Sequence, residues 1–237
     1  MRFISLVFLT IFALSCQRPT PEITLTKTSK SPVYFSLMKE WKKAEALKLH
    51  IGLQPIGKVN ADHLELVKKE LETFYKARIT IFSPISVPRR IVYKPRDRYR
   101  ADRLIEHLRT VMPDSIDHMM GITERDISIM KKGFGNWGIL GFAHGNGPCS
   151  IVSTHRLEAS SKSLYQFKDR LAKIALHELG HNLGLSHCSN SKKCLMRDVK
   201  GKVITVDNAD LNMCNRCKNQ IGLWLAKRKP VYLSYTQ

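Results

Sequence analysis

Apolar positions in this chain alternate between short, nearly continuous runs and longer stretches with a repeat near 3.6 residues. Residues 47–56 (LKLHIGLQPI) predict a strand. Leu64, Val67, Leu71 and Phe74 then recur at helical spacing and predict a helix over 61–75, with Asn60 as its cap. Residues 77–87 (ARITIFSPISV) are β-rich and end at Pro88, and 99–111 predict a second amphipathic helix on Leu104, Ile105 and Leu108, stopped by Pro113. Apolar runs at 116–123, 137–143 and 149–154 predict strands, and the turn His144-Gly145-Asn146-Gly147-Pro148 joins the last two as a hairpin. A long helix over 163–182 carries Leu164, Phe167, Leu171 and Ile174 on one face. Beyond Gly184 the periodicity lapses until Asp207, which predicts the cap of a last helix reaching about Ala226. This order of elements implies an α+β chain whose mixed sheet ends in an antiparallel pair, with no internal repeat.

The first residues read differently. Arg2 is followed by thirteen uncharged residues, 3–15, too few to span a bilayer, which takes about 20. They have the form of a secretory signal, and Ala13-Leu14-Ser15-Cys16 resembles a bacterial lipobox, though Ala13 stands where leucine is usual. The expectation is a signal peptide over 1–15, lipidation of Cys16 and a tether over 16–45 rich in Thr, Ser, Pro and Lys. That would make the protein exported and lipid-anchored to a bacterial membrane, the outer membrane or the periplasm-facing one. An ordinary signal peptide cut nearby and an uncleaved anchor are the alternatives.

Composition narrows the functional classes. Hydrophobic residues make up 43% of 237 and are sufficient for a packed core, which argues against a disordered chain. Lys and Arg exceed Asp and Glu by 39 to 20, a formal charge of +19, but they are spread along the chain. With no basic run interleaved with aromatics and no recognisable motif, the reading is no nucleic acid partner. Anionic lipid headgroups, an acidic substrate or a solvated basic surface account for the charge.

Chemistry concentrates in His177-Glu178-Leu179-Gly180-His181 at the end of the long helix. Four residues of helix put the two imidazoles on one face, about 6 Å apart along the axis. Gly184 suits a left-handed stop, and the returning chain delivers His187. Three neutral imidazoles and an open fourth position describe a catalytic zinc site. Glu178, next to the first ligand, is placed beside the metal as general base for a water attacking a carbonyl. The remaining histidines, His50, His63, His107, His118, His144 and His155, have no partner at ligand spacing and read as structural, with His144 near enough to the expected cleft to touch substrate.

His187 is followed by Cys188, Cys194, Met196 and, after seventeen residues, Cys214-Asn215-Arg216-Cys217. Together with the histidine motif, this resembles the archaemetzincin family of metzincin zinc peptidases. The likeness extends through Gly121-Ile122-Thr123, 138–143 and 152–157 and covers about 47–225. Five residues between Cys188 and Cys194 depart from the family's usual four. The resemblance implies a metzincin-like mixed five-stranded sheet, an active-site helix and a smaller, zinc-stabilised C-terminal subdomain. It implies His177, His181 and His187 on catalytic zinc, Glu178 as general base, Met196 as the Met-turn floor, and Cys188, Cys194, Cys214 and Cys217 on a structural zinc. Two ions per chain follow. From the residues alone, four thiolates or two disulfides remain open, although a bridge within Cys-x-x-Cys closes a short, strained loop. Cys149 is left as a buried thiol.

The organisation expected is a peptidase domain over 46–228, divided into 46–184 and 185–228, with a tail over 229–237. The likeness implies that 138–143 form an edge strand that pairs with extended substrate. Function is then hydrolysis of peptide bonds in a peptide or protein substrate by a monomer, with aminopeptidase and endopeptidase action both open. The alternative is a non-catalytic surface lipoprotein that uses the scaffold for binding, against which Glu178 argues.

Overall fold

The computed structural model describes residues 49–226 except residue 134. The signal segment, Cys16, the tether and the tail lie outside the described residues. The elements, in chain order, are β1 (His50–Pro55), α1 (Ala61–Tyr75), β2 (Arg78–Ile81), β3 (Val92–Tyr93), β4 (Arg98–Arg100), α2 (Ala101–Val111), β5 (His118–Thr123), β6 (Ile127–Ile129), β7 (Trp137–Ile139), β8 (Gly141–Ala143), β9 (Cys149–Ser153), α3 (His155–Ala159), α4 (Leu164–Asn182), α5 (Val203–Asn208) and α6 (Asn215–Ala226). A mixed five-stranded sheet runs in the order β2-β1-β5-β9-β8, parallel except for β8, which pairs antiparallel with β9 at the edge.

Both faces of this sheet are covered, which explains why β5 and β9 read as near-continuous apolar runs. Met120, Ile122 and Val152 face the core shared with α1 and α4, whereas Met119 and Ile151 face the core under α2. The first of these cores also takes in Leu185, Leu195, Met196, Val206 and Met213, so the segment after α4 packs into the main body. Asn60 caps α1 by accepting the Asp62 N–H at 2.9 Å, as its position implies.

Four expectations change. The run 137–143 is two strands: β7 pairs with β6 in a second sheet of order β3-β4-β6-β7, and β8 pairs with β9. Leu140 is the crossing point, buried, with its carbonyl accepting the Ser153 N–H at 2.9 Å. Apolar composition marks such residues as extended but does not say which sheet they join. Tyr99 and Arg100 belong to β4, and α2 starts only at Ala101. Leu164 is 65% exposed in the first turn of α4, which turns the apolar face onto Phe167, Leu171 and Ile174. Asp207 lies inside α5 and caps nothing, since the buried Arg170 guanidinium grips its carboxylate through two 2.7 Å hydrogen bonds. The last helix starts at Asn215 instead.

Candidate metal centre

Helix α4 brings the histidines together because both of its ends are well defined. Ser163 Oγ accepts the Gln166 N–H at 3.2 Å, and Gln166 Oε1 accepts the Lys162 N–H at 2.8 Å. At the other end Gly184 has φ +85°; its N–H donates to the His181 carbonyl, and the Leu185 N–H donates to the Gly180 carbonyl, both at 3.0 Å. This pair of bonds is a Schellman stop. It reverses the chain and brings His187 back over the helix end.

His177 and His181 are then held by their Nδ1 atoms, at 2.8 Å from the Leu195 carbonyl and 2.7 Å from the Leu185 carbonyl. A carbonyl only accepts, so each Nδ1 carries the proton and each Nε2 presents a bare lone pair. The two Nε2 atoms face each other at 3.0 Å. Two bare lone pairs at that distance repel unless a cation lies between them. Protonation of the rings is disfavoured as well: burial, and then the neighbouring His181, push His177 down to about 3. Burial also lowers His181. The His187 ring stands 5.4 Å and 4.8 Å from the other two, and one nitrogen of each of the three rings lies within 4.8 Å of the others. The donor set therefore fits a borderline-soft divalent ion such as zinc.

Glu178 is 6% exposed, and burial pushes its carboxyl up to about 8. It packs against β8 at Gly141, where an added Cβ would stand 2.5 Å from its Oε1. A glycine is thus required for the edge strand and the carboxyl to coexist. Gly180 plays the equivalent part below the helix: an added Cβ would meet Met196 Sδ at 2.5 Å. Met196 is fully buried, and its carbonyl accepts the Cys188 N–H at 2.7 Å. Asn182 Nδ2 donates to the Gly147 and Cys149 carbonyls at 2.8 and 3.0 Å and so fastens the 144–148 turn to the helix end. In that turn the exposed His144 ring stacks edge-on with Phe142 of β8 at 5.0 Å.

The four cysteines form a second group. Cys188 and Cys214 sulfurs are 3.7 Å apart, and Cys217 lies 3.8 Å from both Cys194 and Cys214. Sulfurs at about 2.3 Å from one tetrahedral centre are spaced by about 3.8 Å, whereas a disulfide would bring a pair to about 2.05 Å. None of the four is disulfide-bonded. The Cys217 backbone N–H leads the contacts that draw Cys214 down to about 6, favouring thiolate. Cys149 stands apart at the start of β9, fully buried, its thiol pushed up to about 11 by burial.

Gly180 and Asn182 are functional neighbours that sequence reasoning passed over, and Gly141, expected only as part of the substrate edge strand, also makes room for Glu178. The signal for Gly180 was present: glycine within a helix costs about 1 kcal/mol relative to alanine, so its place between two motif histidines needed a packing reason.

Residues 53–222 match peptidase family M54. An archaemetzincin of Natronomonas pharaonis is 33% identical over 184 residues, covering 73% of this chain and 99% of the relative. The chain belongs to the archaemetzincin family. As an archaemetzincin it is a zinc metallopeptidase, a hydrolase whose substrate is a peptide or protein. Another family member, from Pyrococcus furiosus, is 31% identical over 70% of this chain and 89% of its own length. The crystal structure of archaemetzincin from Archaeoglobus fulgidus, complexed with malonate, superposes with TM-score 0.62 at 27% identity, covering 73% of this chain and 99% of that one. The archaemetzincin structure from Methanopyrus kandleri gives 0.66 over 76% and 97% of the two chains at 23% identity, which supports the fold.

Proposed function

We propose that His177, His181 and His187 hold the catalytic zinc ion and that Glu178 is the general base of peptide hydrolysis. The observation that carries this reading is the pair of bare Nε2 lone pairs facing at 3.0 Å, with a buried carboxyl on the neighbouring residue. An ion held there would supply Lewis-acid polarisation of a carbonyl and positive charge that favours an ionised Glu178.

The chain's own residues do the rest. Glu178 accepts the proton of the attacking water and delivers it to the departing amine nitrogen. The Leu195 and Leu185 carbonyls keep the His177 and His181 rings in one tautomer and one orientation. Residues 141–143 offer an edge to an extended peptide, and the missing side chain at Gly141 lets substrate and carboxyl approach from opposite sides. Met196 fills the space beneath Gly180 and keeps the floor of the site dry.

Cys188, Cys194, Cys214 and Cys217 hold a second, structural zinc in this reading, supported by sulfur spacings of 3.7 to 3.8 Å. The protein acts as a monomer, exported and lipid-anchored through Cys16. An intact mass from membrane-extracted protein that begins at an acylated Cys16 supports the anchor, and an unlipidated start elsewhere refutes it.

The test of the hydrolase is cleavage of a peptide library with and without chelator, alongside Glu178→Gln. Hydrolysis that chelator removes, zinc restores and Glu178→Gln lowers by about 10²–10⁴-fold is expected. Equal inactivity of wild type and variant, both with zinc bound, would favour the non-catalytic binding scaffold. Presenting each peptide with a free and an acetylated amino terminus separates the finer possibilities, since an aminopeptidase cleaves only the free form.

A further inference from the structure

A second pocket lies on the edge of the sheet, and its position follows from topology. From β1 the chain passes through α1 to β2 on one side, then returns through α2 to β5 on the other side of β1. Helices α1 and α2 cover opposite faces of the sheet. The carboxyl ends of β1 and β5 are therefore a switch point, where departing loops leave a crevice in which open α/β sheets commonly bind ligands. Here the crevice is a cavity of about 620 Å³, with Ile56 and Thr123 at the strand ends among its walls. None of the histidines or cysteines of the two metal groups lines it.

The charges around it are unevenly committed. Asp126 is held by Arg98 at 2.6 Å and by Arg156 at 2.7 Å. Asp97 pairs with Arg125, and Glu124 Oε1 accepts the Asn60 N–H at 2.7 Å while lying 3.7 Å from His63. All three acidic groups of the wall are thus engaged. Lys58 and Arg96 also line the cavity, are exposed, and their side chains have no hydrogen-bond or ion-pair partner among the described residues; the exposed His155 lines it too, its backbone N–H donating to Ser153 Oγ at 3.3 Å and its ring facing the charge of Asp126.

We propose that this pocket is a binding site for the phosphate group of a small phosphomonoester, gripped by Lys58 and Arg96 with His155 beside them. Two cationic side chains and an imidazole lining one crevice match a compact dianion with several acceptor oxygens, and a guanidinium can bind such an anion through two parallel N–H donors. The volume, within the range of small-molecule sites, leaves room for an organic group beyond the phosphate. This site does not depend on the zinc peptidase reading, and its test reads binding alone.

The experiment is calorimetric titration of the full chain, zinc-loaded and at fixed salt, with inorganic phosphate and with sn-glycerol 3-phosphate. Because a lipid headgroup carries the same chemistry, a second arm measures binding to phosphatidylcholine vesicles with and without phosphatidic acid. The variant is Lys58→Ala with Arg96→Ala, and the control is Lys168→Ala with Lys192→Ala, an equal loss of charge outside the pocket. One phosphomonoester per chain is expected, with affinity reduced at least about tenfold in the variant and unchanged in the control. Vesicle binding that depends on Lys58 and Arg96, without binding of the soluble compounds, would assign the phosphate to a lipid. Absence of binding in both arms, or equal weakening by variant and control, overturns the proposal, because the diffuse charge of the protein would then account for the result.

Discussion

The two metal groups meet in the chain at His187-Cys188 yet are built in opposite ways. The histidines come chiefly from one rigid helix, their rings tied to backbone carbonyls, with an acid and an edge strand on the remaining side. The cysteines come from the loop after α4 and from the start of α6, and their sulfurs, spaced 3.7 to 3.8 Å in three pairs, suit one tetrahedral centre. An open set suits chemistry and a closed set suits fastening. Leu195 couples them. Cys194 precedes Leu195, whose carbonyl holds His177 and whose N–H donates to the Asn212 carbonyl at 2.8 Å. Because coupling is reciprocal, any difference in outcome comes from the closed site's larger share of the folding energy: its loss should disorder the open site, whereas damage to the open site should weaken the closed one without emptying it.

The largest effect tests that asymmetry. Cys194→Ser with Cys217→Ser should remove both ions and destabilise the protein by at least about 5 kcal/mol. Elemental analysis and denaturant unfolding check this, and an intact histidine site in the variant would break the coupling. Glu178→Gln should be the converse, lowering hydrolysis by about 10²–10⁴-fold with zinc content and fold unchanged.

Smaller effects separate packing from chemistry. Asp207→Ala leaves buried Arg170 without its carboxylate and should cost about 3 kcal/mol in denaturant unfolding with both ions retained. Arg170 holds the Asp207 carboxyl below its ordinary range, so the stabilisation is complete above the unfolded value of about 3.9 and lost as pH falls further. Asp126 behaves alike: burial alone would raise it, but Arg156 and Arg98 overcome that and hold it low. Thermal stability should therefore fall chiefly below about pH 4, and Asp207→Ala should flatten that fall. Gly180→Ala, which pushes on Met196 below the helix, should cost about 1–3 kcal/mol and reduce activity through misplacement of His177 and His181.

The histidine cluster was legible because helix geometry turns the spacing of His177 and His181 into a shared face, and Gly184 announces the turn that returns His187. Long elements with strong periodicity, such as 61–75 under its Asn60 cap, were legible for the same reason. The second sheet was not, since strands of two or three residues carry no usable period. Asp207 misled because an acid before an apolar stretch looks like a cap when its real partner, Arg170, lies 37 residues away in sequence. Gly141 gave no local sign of its role, which exists only where β8 passes over Glu178.

Anomalous diffraction at the zinc edge from crystals of the zinc-loaded protein tests the account most directly. It predicts one peak about 2.0–2.1 Å from a nitrogen of each of His177, His181 and His187, with no fourth protein ligand and Glu178 alongside. A peak bound by fewer of these rings, or closed by a further side chain, would contradict it.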